Sequence, residues 1–165
     1  DRAILEILYA AGLRVSELTA LREPDLLLDH ALIRVRGRGA RERVVPLGQA
    51  AVDWLGRYAR FGRPSLLPSA DIDDSPFFLN AKGRALSRMS VWKIIRTAAL
   101  AVGIDRGVNP QTLRHTFAAH LLDGGFDLRD VQHLLGHADI STTSIYSRPD
   151  DGRLQALHRA YHPRA

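Results

Sequence analysis

The chain has 165 residues, 23 Lys and Arg against 18 Asp and Glu, a net charge of +5 and a pI near 10.2. That length suits one domain with a real hydrophobic core, and the basic balance favours polyanionic partners through salt-sensitive counterion release. The absence of cysteine excludes disulfide and thiolate chemistry and suits a cytoplasmic location. The sequence has no apolar run of membrane-spanning length, so no membrane partner is expected. It starts at Asp1 in an already helical pattern without a signal-peptide signature, as a piece of a longer protein would.

Residues 2–11 place Ile4, Leu5, Leu8 and Ala11 on one helical face, and Gly12 is a natural stop. Ser16 is positioned to N-cap a second short helix reaching Arg22. Arg14 then falls in the turn between the two helices, where it needs an anion or a salt bridge to Glu17 or Asp25. Residues 31–36 and 42–45 alternate like strands, with Pro46 closing the second. They flank the turn Gly37-Arg38-Gly39-Ala40-Arg41, so the pair reads as an antiparallel hairpin with Arg38 at its tip. A helix is expected over 48–61, burying Ala51, Trp54, Leu55 and Tyr58 and ended by Gly62 and Pro64. Residues 63–76 read as a loop, and Phe77-Phe78-Leu79 as a third strand.

Ser87 caps the next expected helix, which carries Val91, Trp92, Ile95, Ala98, Ala99 and Val102 and stops at Gly103. Asn109 and Pro110 suit the N-cap and first turn of a helix burying Leu113, Phe117 and Leu121 and ending at Gly124-Gly125. Gln111 and Arg114 are three apart and share a face. Asp127 caps a helix ended by Gly136, and His137 follows directly. Ser141 caps the turn before Tyr146, and a last helical stretch follows Pro149. His115, His120 and His133 read as structural or surface residues, Tyr9 and Tyr58 as packing residues, and no histidine or carboxylate set has metal-ligand spacing.

The stretch 109–146 thus concentrates an arginine, a histidine and a tyrosine near the ends of short helices. Each has a task on a phosphodiester. Arg114 can bind a phosphate with its fork, His137 can hydrogen-bond a phosphate oxygen and exchange a proton, and the phenol of Tyr146 can attack phosphorus.

Five motifs occur in order: Gly12-Leu13-Arg14-Val15-Ser16-Glu17-Leu18, Arg41-Glu42-Arg43-Val44-Val45-Pro46-Leu47, Thr112-Leu113-Arg114-His115-Thr116-Phe117-Ala118, Leu134-Leu135-Gly136-His137 and Ser141-Thr142-Thr143-Ser144-Ile145-Tyr146, before a closing His162-Pro163-Arg164-Ala165. With them the chain resembles, over nearly its whole length, the C-terminal catalytic domain of tyrosine site-specific recombinases (the phage integrase family), of the bacterial Xer type. The resemblance implies an α+β, predominantly helical domain spanning 1–165, with a small three-stranded antiparallel sheet on one edge.

It also implies a mechanism. Arg14 and Arg114 would grip the scissile phosphate, Tyr146 would form a 3′-phosphotyrosyl link, and His137 would manage protons, with neither ATP nor any other cofactor required. DNA contacts are expected at Arg36, Arg41, Arg43 and Arg88. The implied partners are double-stranded DNA and homologous subunits, four on two DNA sites with exchanged C-terminal helices. The implied roles are chromosome dimer resolution or DNA integration, with an N-terminal DNA-clamping domain beyond this chain.

Two positions depart from the family pattern. Arg38 stands where the family has a lysine general acid, and Gln111 where it usually has a histidine. A guanidinium is a poor proton donor and glutamine exchanges no proton. A catalytically weakened DNA-binding subunit is therefore the alternative reading, and a type IB topoisomerase-like relaxing enzyme is a third.

Overall fold

The computed structural model describes residues 1–37, 42–67 and 75–136. The first helix, α1 (Arg2–Ala11), buries Ile4, Ile7, Leu8 and Ala11 and packs on both α3 (Gln49–Arg57) and α6 (Pro110–Asp123). Gly12 ends it in the left-handed region at φ 55°. A side chain there would be strained, and its Cβ would lie 2.5 Å from a ring carbon of Phe117. That close approach sets α1 against α6.

The second helix, α2, runs Val15–Ala20. Its N-cap is Arg14, two residues earlier than the expected Ser16. Glu17 explains the shift: at the third helical position its carboxylate accepts the Arg14 backbone N–H at 2.8 Å, which does the work of a capping side chain.

Strands β1 (Leu26–Leu27), β2 (Leu32–Arg36) and β3 (Glu42–Pro46) form an antiparallel three-stranded sheet in that order. The register pairs Ile33 with Val45 and Val35 with Arg43. Successive strand residues face opposite sides, so Ile33, Val35, Arg43 and Val45 share the buried face. Arg34 and Val44 pair on the other face, half-buried. The hairpin is as expected, but the third strand is not Phe77-Phe78-Leu79. The free edge of β2 is taken by Leu26–Leu27, which a single helical turn at Leu28–His30 returns to it.

Phe77 and Phe78 plug the core instead. Phe78 stacks on Tyr58 at a centroid distance of 5.1 Å, Phe77 meets Tyr58 edge-on at 5.3 Å and Phe78 edge-on at 4.9 Å, and the Tyr58 hydroxyl accepts the Leu79 N–H at 3.0 Å. A fully buried phenylalanine contributes ~1.5–3 kcal/mol by the area it removes from water, more than an added edge pairing would.

After α3 the chain does not stop at Gly62. It widens into a π-helical turn at Tyr58–Gly62 and continues as α4 (Arg63–Leu66), with Pro64 in a first turn that needs no N–H. The next helix, α5 (Arg88–Ala101), starts at Ser87, whose hydroxyl accepts the Ser90 N–H at 3.0 Å. Its stripe is narrower than expected: Val91, Ile95 and Ala99 are buried, but Trp92 and Val102 are exposed. Helix α6 opens with a reciprocal cap in which Asn109 accepts the Thr112 N–H at 3.1 Å and Thr112 accepts the Asn109 N–H at 3.2 Å. Helix α7 (Leu128–Leu135) is capped by Asp127 and ended by Gly136 at φ 63°.

Candidate active site

The C-terminal end of α7 organises the site. The last carbonyls of a helix have no partner within it and carry its negative dipole end, which favours cations. Here three arginines from three separate elements supply the missing donors. Arg43, from β3, donates through Nε to the Leu134 carbonyl at 2.7 Å. Arg114, from the second turn of α6, donates to the Leu135 carbonyl at 2.6 Å and also bonds the Gly12 carbonyl at the end of α1. Arg14, at the start of α2, reaches the Leu135 and Gly136 carbonyls, each at 3.4 Å. Arg14 and Arg114 thus converge on a single oxygen, that of Leu135.

One carboxylate serves this group. Glu17 is bound by both ends of the Arg43 guanidinium, at 2.8 and 2.9 Å, and by Arg14 at 3.0 Å. Burial by itself would raise the Glu17 carboxyl, but the hydrogen bonds and charge of Arg43, aided by Arg14, hold it below its ordinary value of 4.5. Three guanidiniums facing one carboxylate leave positive charge in excess. Burial, followed by the charge of Arg14, pulls Arg114 down to about 10, with Glu17 partly offsetting the effect. Arg114 therefore stays protonated at neutral pH.

Arg14 and Arg114 differ in how firmly they are held. Arg114 is 8% exposed, and each of its two Nη atoms donates to a backbone carbonyl. The Arg14 side chain is 43% exposed and its carbonyl contacts are long. An anion above α7 would meet Arg14 as an exposed, loosely held fork beside a buried cation. The ion pair between Arg14 and Glu17 is present, and it coexists with this convergence rather than replacing it.

The remaining expected residues divide clearly. Gln111 is exposed one turn before Arg114 on α6. Arg36 is half-exposed at the end of β2 and pairs with Asp25 and Glu42, each at 3.2 Å. Arg88 is exposed in the first turn of α5, beside an apolar hollow lined by Val15, Met89, Trp92 and Pro110. Arg43, expected among the DNA contacts, is turned inward by the buried face of β3, and each nitrogen of its fork already has a protein partner. Its alternation with Val45 was the available signal. Arg38, Arg41, His137 and Tyr146 lie outside the described residues. Among those described, no cluster of His, Asp or Glu could hold a metal ion, and no helix is long and apolar enough to cross a membrane.

Comparison with known proteins identifies the family. Residues 1–153 match the model of the phage integrase family. The tyrosine recombinase XerD of Chlorobaculum tepidum is 46% identical over 164 residues, covering 99% of this chain and 53% of that protein. Among solved structures, the XerA recombinase superposes with a TM-score of 0.75 at 33% identity, covering 99% of this chain and 58% of the other. The XerH site-specific recombinase bound to its difH substrate in a pre-cleavage complex superposes with a TM-score of 0.73 at 31% identity, covering 94% of this chain and 45% of that one. The chain spans about half the length of the curated relatives it matches. With its motifs, its helical fold edged by a small sheet, and a family match over most of its length, the chain belongs to the phage integrase family.

Proposed function

We propose that this chain is the catalytic part of a site-specific recombinase that cleaves and rejoins DNA strands without an external energy source. The observation that carries the reading is the convergence of Arg14 and Arg114 on the Leu135 carbonyl, beneath a surplus of positive charge. A phosphodiester fits there: one negative charge, and two non-bridging oxygens for two guanidiniums.

In this mechanism Arg14 and Arg114 bind the scissile phosphate and stabilise the charge that grows on its oxygens in the transition state. The phenol oxygen of Tyr146 forms a bond to phosphorus as the bond to the 5′-oxygen breaks. The phenolic proton passes towards His137, and the departing oxygen takes up a proton to become a hydroxyl. A 5′-hydroxyl from the partner strand then attacks the phosphotyrosine and reverses each bond change. His137 follows Gly136 in the chain and so is tethered to the end of α7. Arg38 would stabilise the leaving oxygen by charge, and Gln111 would donate a hydrogen bond to the phosphate.

The substrate is double-stranded DNA, with contacts from Arg36, Arg41 and Arg88. The working assembly is four homologous subunits on two DNA sites, with exchanged C-terminal helices and a further DNA-clamping domain, in the cytoplasm. Chromosome dimer resolution is the role suggested by the XerD relatives. No contact among the described residues favours the weakened-subunit alternative.

The test uses the full-length protein and a nicked suicide duplex, from which the cleaved strand cannot be rejoined. The expected result is a covalent protein–DNA adduct that disappears in Tyr146→Phe while DNA binding is retained. DNA binding with no adduct from the unaltered protein would contradict the reading.

A further inference from the structure

Arg43 touches both elements that carry the proposed phosphate pocket. Through its fork it binds α2 at Glu17, and through Nε it binds the end of α7 at Leu134. It also packs against Gly136, where an added Cβ would come within 2.9 Å of its Nη1. Its side chain is only 6% exposed, so its placement suits a structural contact. Its carboxylate partner, however, is also the carboxylate partner of Arg14.

We infer that Arg43 is a positioning residue: by occupying both oxygens of Glu17, it limits that carboxylate to a single hydrogen bond with the Arg14 fork and leaves the other Nη of Arg14 available to a phosphate. The inference rests on the strand-transfer reading above. A buried carboxylate binds an arginine most strongly through two parallel hydrogen bonds. In this fold Arg43 holds that bidentate place, and Arg14 reaches Glu17 only from the side, with one Nη at 3.0 Å. The other Nη of Arg14 has only the 3.4 Å contact to Gly136.

Without Arg43, Glu17 would remain desolvated with Arg14 as its nearest cation, and an unpaired buried charge is costly enough to draw that cation in. An incoming phosphate would then compete with Glu17 for the same fork. The helix end would also lose its donor at Leu134. Arg43→Lys would not substitute fully, because an ammonium cannot engage two carboxylate oxygens and a carbonyl in one plane.

The experiment measures single-turnover adduct formation by the full-length protein on suicide duplexes. One duplex carries the natural phosphodiester at the cleavage site, and the other a neutral methylphosphonate that needs less charge neutralisation. Arg43→Met is expected to slow cleavage of the phosphodiester at least about tenfold with DNA affinity retained, a loss of the kind seen when one donor to a developing oxyanion is removed. Relative to unaltered protein, the loss should shrink on the methylphosphonate, and Arg43→Lys should recover part of it.

If Arg43→Met does not fold, Glu17→Gln and the pair Glu17→Gln with Arg43→Met provide the same test without a buried charge. With Glu17 neutral there is nothing to capture Arg14, so these two are expected to cleave within about threefold of one another. The inference is overturned if Arg43→Met cleaves at the unaltered rate, if its deficit is equal on both linkages, or if the pair is much slower than Glu17→Gln. Absence of adduct from the unaltered protein would instead overturn the strand-transfer reading.

Discussion

Arg114 and Arg63 are 8% and 9% exposed, yet their surroundings differ in kind. Arg63, in α4, donates to the Ser75 hydroxyl at 2.6 Å and approaches a largely exposed Glu23 at 3.4 Å, while its Nε has no partner among the described residues. It is a single cation tying one turn to one loop. Arg114 is held by carbonyls from the ends of two helices, and Arg14 and Arg43 stand close enough to lower its proton affinity. Burial alone only desolvates an arginine. Several cations gathered on orphan helix carbonyls, with one carboxylate between them, create a charge surplus that an anion can relieve.

The largest expected effect divides these two residues. Arg114→Met should reduce the single-turnover cleavage rate by about 10²–10³-fold, because a donor to the transition-state charge is lost. Arg63→Met should leave that rate within about threefold and lower stability by ~1–3 kcal/mol in denaturant unfolding, the usual cost of losing hydrogen bonds to a charged group. Equal rate losses in the two variants would erase the distinction.

A comparison of two glycines sharpens the same point. Gly136 and Gly103 both have positive φ, 63° and 78°, so alanine is strained at either. At Gly103 the Cβ would meet open space, and Gly103→Ala should cost only the ~1–2 kcal/mol of the left-handed conformation. At Gly136 the Cβ would press on the Arg43 guanidinium, which is fixed by Glu17 and Leu134. Gly136→Ala should therefore unfold at distinctly lower denaturant and also cleave more slowly, whereas Gly103→Ala should lose stability alone.

A smaller effect concerns pH. The folded-state carboxyl of Glu17 lies below its ordinary value of 4.5, so its stabilising contribution is complete above that value and is lost as the pH falls through the lower folded one. Glu17→Gln should flatten the acid limb of a stability-against-pH curve and leave the neutral region parallel to that of the unaltered protein. An unchanged acid limb would mean that Glu17 is not the charge the arginines hold.

Much of this architecture was legible in the sequence because its signals were local. Asn109, Asp127, Ser87, Gly12 and Gly136 marked helix ends by hydrogen-bonding capacity or backbone freedom, and each sits at the end it marked. The hairpin was legible from alternation. The third strand was not, because a two-residue strand has no periodicity, and the apolar run at 77–79 offered a better pattern for a different destiny in the core.

Within the site, Arg14 and Arg114 were legible from motif spacing. Apart from Glu17, what held them was not, since those partners are backbone carbonyls of residues 12, 135 and 136, which no side-chain pattern announces. The inward setting of Arg43 was not legible because charge was weighed ahead of phase. It alternates with Val45, and a residue on that phase faces inward whatever its charge.

The most direct measurement is a crystal structure of the protein soaked with tungstate, a phosphate-like anion visible by its anomalous scattering. The account predicts one tungstate over the C-terminal end of α7, within hydrogen-bonding distance of both the Arg14 and Arg114 guanidiniums and away from Arg63. Tungstate bound to only one of that pair, with the other turned aside, would contradict it.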